Sequence, residues 1–259
     1  GSEMCIRDRA KNTQRNHIIV EHNDNSGSVD EQAYIKKLTS DVRVVSIVHT
    51  SPVTGMTVDL EKITKEVRNV TPDCIIIVDG IQHSSHGAID VQKYDIDGYV
   101  VSPYKMFSRH GYGVAWASDR LCTLNKEQLT GGPFQNWELG TRDAGSYATF
   151  SDVVDYLDWL GSNFTESENT RERLEASSIA IKSHEQELVD LVINGAEDIV
   201  GLRNNKKIRI IGNSASTSRE GVVSFFHKNK PSRIIVEELR QRKILSLIHI
   251  SEPTRPVTI

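Results

Sequence analysis

The apolar residues of this chain fall into two rhythms. Val42-Arg43-Val44-Val45-Ser46-Ile47-Val48-His49 is β-branched and nearly continuous in apolar character, which predicts a strand buried on both faces of a parallel sheet. Cys74-Ile75-Ile76-Ile77-Val78-Asp79 predicts a second such strand, ending in a carboxylate. Gly98 to Ser102 and Gly113 to Ala117 predict a third and a fourth, and His17 to Val20 is a shorter candidate before the turn formers Asn23 to Gly27. Helical spacing appears after Asp30, which stands as a cap before Glu31 to Leu38, and again over Asp59 to Val70, where Leu60, Ile63 and Val67 share a face.

Further along, Phe150 to Leu160 reads as a helix on Val153, Val154, Leu157, Trp159 and Leu160, and a longer one is expected from about Thr170 to Ile193. Lys207 to Gly212 and Gly221 to Phe226 then read as strands of a smaller domain, with Ser232 to Arg242 as its helix. Strands separated by helix-length connections point to an α/β layer fold with a mostly parallel sheet, and such folds keep their ligands at strand ends. The expected division is a large domain over 10–161 and a linking helix with part of a small α+β domain over 162–244.

Composition narrows the possibilities. In 259 residues the formal net charge is −4, with no basic surplus for gripping a phosphate backbone, so nucleic acid is not an expected partner. No window approaches the roughly 18 uninterrupted apolar residues of a membrane span, and the chain reads as soluble. Cys5, Cys74 and Cys122 show no paired spacing, which fits a reducing cytoplasm better than a disulfide framework or a zinc site. The two ends stand apart: Glu3 to Arg9 and Leu245 to Arg255 resemble translations of a transposase adapter used in preparing sequencing libraries. The expectation is therefore that 1–9 and 245–259 are non-native and that the authentic protein runs from about Ala10 to about Ile244.

Three polar groups lie at the ends of expected strands: His49, Asp79 with Gln82, and Ser102 with Lys105. A carboxylate out of water needs a cationic or donor partner, and a protonated pyridine nitrogen is one such partner. A partly desolvated lysine just past the next strand has its amine form favoured and suits nucleophilic attack on a carbonyl. Each has a plainer reading. Lone lysines after strands are mostly solvated, Asp79 before Gly80 also fits a turn, and His49 also fits a satisfied core histidine. A nucleotide-binding domain is disfavoured, because Gly111-Tyr112-Gly113 lacks the third glycine of the dinucleotide fingerprint.

Four motifs in order add a resemblance. Ile77 to Val91, with Asp79-Gly80-Ile81-Gln82 and Asp90-Val91, resembles the stretch of the class V aminotransferase family in which a strand ends in Asp-Gly-x-Gln and runs on through His to Asp-Val. Ser102-Pro103-Tyr104-Lys105 followed by Gly111-Tyr112-Gly113 resembles its Ser-x-His-Lys block. His49 to Gly55 resembles its His-x-Ser-Asn-x-x-Gly, and Glu138-Leu139-Gly140-Thr141 its Glu-x-Gly-Thr. The resemblance covers about residues 17 to 244 and extends to the cysteine-desulfurase-like and isopenicillin-epimerase-like branches.

It implies a three-layer pyridoxal-phosphate-dependent fold, present in part, and an enzyme acting on a small amino acid by transamination, desulfuration or epimerisation. Lys105 would carry the cofactor as a Schiff base and shuttle the proton at the substrate α-carbon, with His49 as a further catalytic candidate. Asp79 would pair with the ring nitrogen and Gln82 with the phenolic oxygen. Ser102 and Tyr104 would contact the phosphate, and Thr141 would reach the phosphate of a neighbouring subunit in a homodimer. Tyr104 stands where many members carry His, and Pro52 where Asn is common. The family's main phosphate-cradling loop, its substrate arginine and the desulfurase cysteine are expected outside this chain, so weak cofactor binding and no activity are expected of it alone. The alternative is an idle relative kept as a dimerising or binding module.

Overall fold

The computed structural model describes residues 2–23, 26–131, 137, 139–140, 143–212 and 219–246. In chain order its first elements are α1 (Ser2–Asn12), α2 (Glu31–Ile35), β1 (Val44–Val48), α3 (Leu60–Val70), β2 (Ile75–Asp79), β3 (Gly98–Val101), β4 (Val114–Ala117) and α4 (Asp119–Cys122). They are followed by α5 (Ala144–Gly161), α6 (Thr170–Asn194), β5 (Gly195–Ala196), β6 (Ile199–Val200), β7 (Ile208–Ile210), β8 (Phe225–His227) and α7 (Ser232–Gln241). The chain forms two compact units. One comprises Leu38–Thr50 and Asp59–Glu185, the other Gly1–Lys37, Ser51–Val58 and Gln186–Ile259.

The first of these holds a sheet of order β1-β2-β3-β4, in which β1, β2 and β3 are parallel and β4 joins antiparallel to β3. An antiparallel edge strand on an otherwise parallel sheet is common in α/β proteins. Val45 and Ile47 of β1 and Ile76 and Val78 of β2 are buried, as are Leu60, Ile63 and Val67 of α3, so the period of two and the period of 3.6 meet in one core. The α3 helix starts where Asp59 accepts a hydrogen bond from Lys62 N at 3.1 Å, the cap its sequence predicts.

Burial on both faces of β1 is not observed. Among the described residues β1 has a neighbour on one side only, and its exposure alternates, with Val44 60% exposed, so one of its two faces is left uncovered. The helix expected from Phe150 begins earlier, at Ala144, where Asp143 accepts from Ser146 N.

At the other end of β3 lies a buried charge cluster. Asp97 Oδ2 accepts from Ile76 N at 2.8 Å, Arg68 Nη2 at 2.9 Å and Arg120 Nη2 at 2.6 Å, while Oδ1 accepts from Arg120 Nε at 2.8 Å. Burial alone would raise the Asp97 pKa, but the hydrogen bonds from Arg120, Ile76 N and Arg68 outweigh it and hold the carboxyl at about 2.

In the second unit, β7 and β8 form a two-stranded antiparallel sheet and β5 and β6 a second, very short one. The expected strands are present but shorter, and the later one is shifted to Phe225–His227. His17 to Val20 forms no strand; among the described residues the backbone there has no partner strand, and Lys37 Nζ donates to Ile19 O at 2.5 Å. Asp30 caps α2 by accepting from Gln32 N at 2.9 Å. Gly55 requires a residue without a side chain: its φ is +74°, and a Cβ there would lie 2.7 Å from Val222 O.

Candidate active site

Because β1, β2 and β3 run in one direction and pair in register, with Val48 opposite Asp79 and Asp79 opposite Val100, their carboxyl ends lie along one edge. That edge carries His49 after β1, Asp79 to Gln82 at the end of β2 and Ser102 to Lys105 after β3. It is the edge at which an open parallel sheet binds ligands.

Lys105 ends a single 3-10 turn over Pro103–Lys105, closed by Lys105 N donating to Ser102 O at 3.0 Å. Its Nζ donates to Gln82 Oε1 at 2.6 Å, so the amine and the amide that the sequence singles out separately are in direct contact. Burial lowers the Lys105 pKa from the usual lysine value, and the charge of Asp79 opposes that fall. Lysine and aspartate thus lie within electrostatic reach on the same edge.

Asp79 is half-buried and, among the described residues, accepts one hydrogen bond, from Ile81 N at 3.1 Å, which leaves capacity for a cationic or donor partner. It is at once the turn former and the strand-end carboxylate. Gly80 follows because Tyr99 lies against it, and a Cβ there would come within 2.1 Å of the Tyr99 ring. Ser102 is half-buried and makes no side-chain cap bond, so among the described residues its hydroxyl is available to a ligand. Tyr104 is 40% exposed and stacks on His110, with ring centroids 4.3 Å apart; no described contact joins it to Lys105, Gln82 or Asp79. Thr141 and Glu138 lie outside the described residues.

His49 belongs to a buried aromatic group. Its Nδ1 shares a hydrogen bond with the Tyr99 hydroxyl at 2.8 Å, and its ring stacks on His83 at 3.6 Å between centroids. Burial first, then the His83 and Lys182 charges, depress its pKa to about 2, so the ring is neutral across the working range. A neutral, enclosed imidazole orients neighbours but does not trade protons near neutrality.

Two side chains that sequence reasoning missed complete the arrangement. Gln82 Nε2 and His86 Nε2 are 2.9 Å apart, and His86 Nδ1 lies 2.8 Å from each carboxylate oxygen of Glu185 on α6. His86 sits inside the quoted strand-to-Asp-Val stretch and could have been found there. Glu185 stands far along the chain on a long helix and gives no sequence signal.

Comparison with known proteins decides the family. The model of the aminotransferase class-V family matches residues 2–246. The chain belongs to this family. Its members depend on pyridoxal phosphate. Over 123 residues the chain is 29% identical to a probable cysteine desulfurase of Mycoplasma genitalium, which is 48% of this chain and 30% of that protein. Over 204 residues it is 26% identical to a probable cysteine desulfurase of Mycobacterium leprae, which is 73% of this chain and 43% of that protein. Among solved structures, the apo cysteine desulfurase from Thermococcus onnurineus superposes with a TM-score of 0.67 at 19% identity, over 89% of this chain and 55% of that one. That likeness shows the α/β fold. The chain spans half or less of the length of the curated relatives it matches.

The residues at the edge fit the family's cofactor. A carboxylate with spare acceptor capacity, a primary amide, a half-buried hydroxyl and a partly desolvated amine are the groups that pyridine nitrogen, phenolic oxygen, phosphate and aldehyde each require.

Proposed function

We propose that this chain carries the cofactor-bonding part of a pyridoxal-phosphate-dependent enzyme acting on an amino acid, with Lys105 as the lysine whose amine bonds to the cofactor's aldehyde carbon. The observation that carries the reading is the 2.6 Å contact between Lys105 Nζ and Gln82 Oε1, within reach of the Asp79 charge at the carboxyl edge of a parallel sheet.

In this reading Asp79 faces the ring nitrogen and holds it protonated, Gln82 bonds the phenolic oxygen, and Ser102 with Tyr104 takes the phosphate. When bound, the cofactor supplies an electron sink for negative charge at the substrate's α-carbon. The Lys105 amine would hold and return the proton at that α-carbon. Its lowered pKa suits both tasks, because an amine must be unprotonated to act as nucleophile or base. We assign His49 to orienting Tyr99 and His83 beneath this edge rather than to proton transfer. Thr141 is proposed to reach the phosphate bound by a second copy in a homodimer. A reducing cytoplasm is proposed on the three cysteines, whose spacing shows no pairing.

Sulfur removal from cysteine, as in the names of the relatives, requires an accessible thiol near the reacting carbon. Cys74 is fully buried before the start of β2, where burial pushes its thiol pKa up, and Cys122 follows β4; both belong to the opposite edge of the sheet.

The test is borohydride trapping with millimolar pyridoxal phosphate, followed by mass-spectrometric mapping of the modified lysines. Lys105 is expected to be labelled ahead of all other lysines, and Asp79→Asn to remove that preference. Labelling spread evenly over surface lysines would sink the proposal.

A further inference from the structure

The polar chain behind Lys105 has a direction. Glu185 places both carboxylate oxygens 2.8 Å from His86 Nδ1, and a carboxylate only accepts, so Nδ1 carries the proton. The Lys105 ammonium can only donate, so it is the NH₂ end of the Gln82 amide that lies 2.9 Å from His86 Nε2, and that nitrogen accepts. The carbonyl end of the same amide is left facing Lys105, where Nζ donates to it at 2.6 Å. Each bond dictates the sense of the next.

We infer that His86 and Glu185 are positioning residues: together they fix Gln82 with its carbonyl oxygen on the Lys105 amine, and thereby set how readily that amine gives up its proton. The consequence for catalysis rests on the reading of Lys105 given above, but the coupling itself belongs to the protein alone. A carbonyl oxygen on the amine favours the ammonium form, as Asp79 does from the end of β2. Reversal of the amide would set an NH₂ group against the ammonium and favour the neutral amine. Glu185 holds the His86 tautomer and so holds the amide. The side chains of His86 and Glu185 are 12% and 24% exposed, sheltered enough for geometry to be maintained and open enough for substitution. Among the described residues, the Asp79 charge acts on Lys105, Glu185 on α6 faces His86, and the Lys182 charge on the same helix reaches His49. His83 lies one residue from Gln82 and bonds to Thr50 and Ala88 O instead.

The experiment uses the 259-residue chain without cofactor. Formaldehyde with cyanoborohydride methylates unprotonated amines, and the rate on the Lys105 peptide, followed by mass spectrometry across pH, gives the midpoint of that amine. In His86→Phe and Glu185→Leu the midpoint is expected to fall by about half a unit or more, as in Gln82→Leu. Glu185→Gln keeps an acceptor for Nδ1–H, and His86→Gln keeps an acceptor for Gln82; both are expected to titrate with the parent. Retention in Glu185→Gln separates an oriented hydrogen bond from the mere loss of a charge, and a packing role would move none of these midpoints selectively. If His86→Phe and Glu185→Leu titrate with the parent, or Glu185→Gln shifts as far as Glu185→Leu, the inference is overturned. Because no pyridoxal phosphate is present, that failure is distinct from failure of the trapping experiment.

Discussion

At the scale of single residues, the chain contrasts two histidines 37 positions apart in role as well as in sequence. His49 is 5% exposed and stacked on His83, and its pKa is depressed to about 2, whereas an unfolded histidine titrates near 6.5. The sign of the linkage follows. The folded state refuses a proton that the unfolded state accepts below pH 6.5, so the stabilisation is complete above that value and erodes as pH falls towards 2. Between pH 7 and 5 this one group is expected to remove about 2 kcal/mol of stability. Urea unfolding at the two pH values checks it: His49→Gln should lose distinctly less than the parent over that interval, and equal losses would discount His49 as the acid-labile group. His86, by contrast, is paired to a carboxylate and to an amide, and its value lies in which nitrogen holds the proton.

At the scale of elements, the amino and carboxyl edges of the sheet do different work. The carboxyl edge leaves Asp79, Ser102 and Lys105 with capacity for a ligand, while the amino edge saturates Asp97 with two guanidinium groups and a backbone N–H. This clamp ties α3 through Arg68, β2 through Ile76 and α4 through Arg120 to the start of β3. Asp97→Asn keeps the shape but leaves the Arg68 guanidinium, 14% exposed, without its buried counter-charge. A loss of about 3 kcal/mol in chemical denaturation is expected, at the lower end for a broken buried pair because Arg120 is 40% exposed. A variant within about 0.5 kcal/mol of the parent, the ordinary spread of surface substitutions, would show that the clamp is not structural. In the parent, the contribution of Asp97 is present above its unfolded pKa of 3.8 and is lost as pH falls through about 2.

At the scale of the whole chain, apart from the exposed Tyr104 phenol, the described edge offers one carboxylate, one amide, one hydroxyl and one amine to the cofactor. Four such groups, without a cradle of backbone N–H groups for the phosphate among them, make for weak retention. The 259-residue chain mixed with pyridoxal phosphate should therefore lose its yellow absorbance on gel filtration unless borohydride is added first. A stable yellow chain emerging from the column would contradict this and assign the chain a fuller site than its described residues form.

Local pattern alone was enough for the order of strands and longer helices in the larger unit, though not for α4, for the caps at Asp30 and Asp59, and for Asp79, Gln82, Ser102 and Lys105 as strand-end polar groups, because periodicity and cap chemistry act over a few residues. Tertiary structure decided the rest. That β1 lies at the edge, that His17 to Val20 joins no strand among the described residues, that Asp97 meets Arg68 and Arg120, and that Glu185 orients His86 all depend on which distant segments become neighbours. Side-chain spacing along a chain fixes which face a residue occupies; only the closing of loops over tens of residues fixes what it meets there.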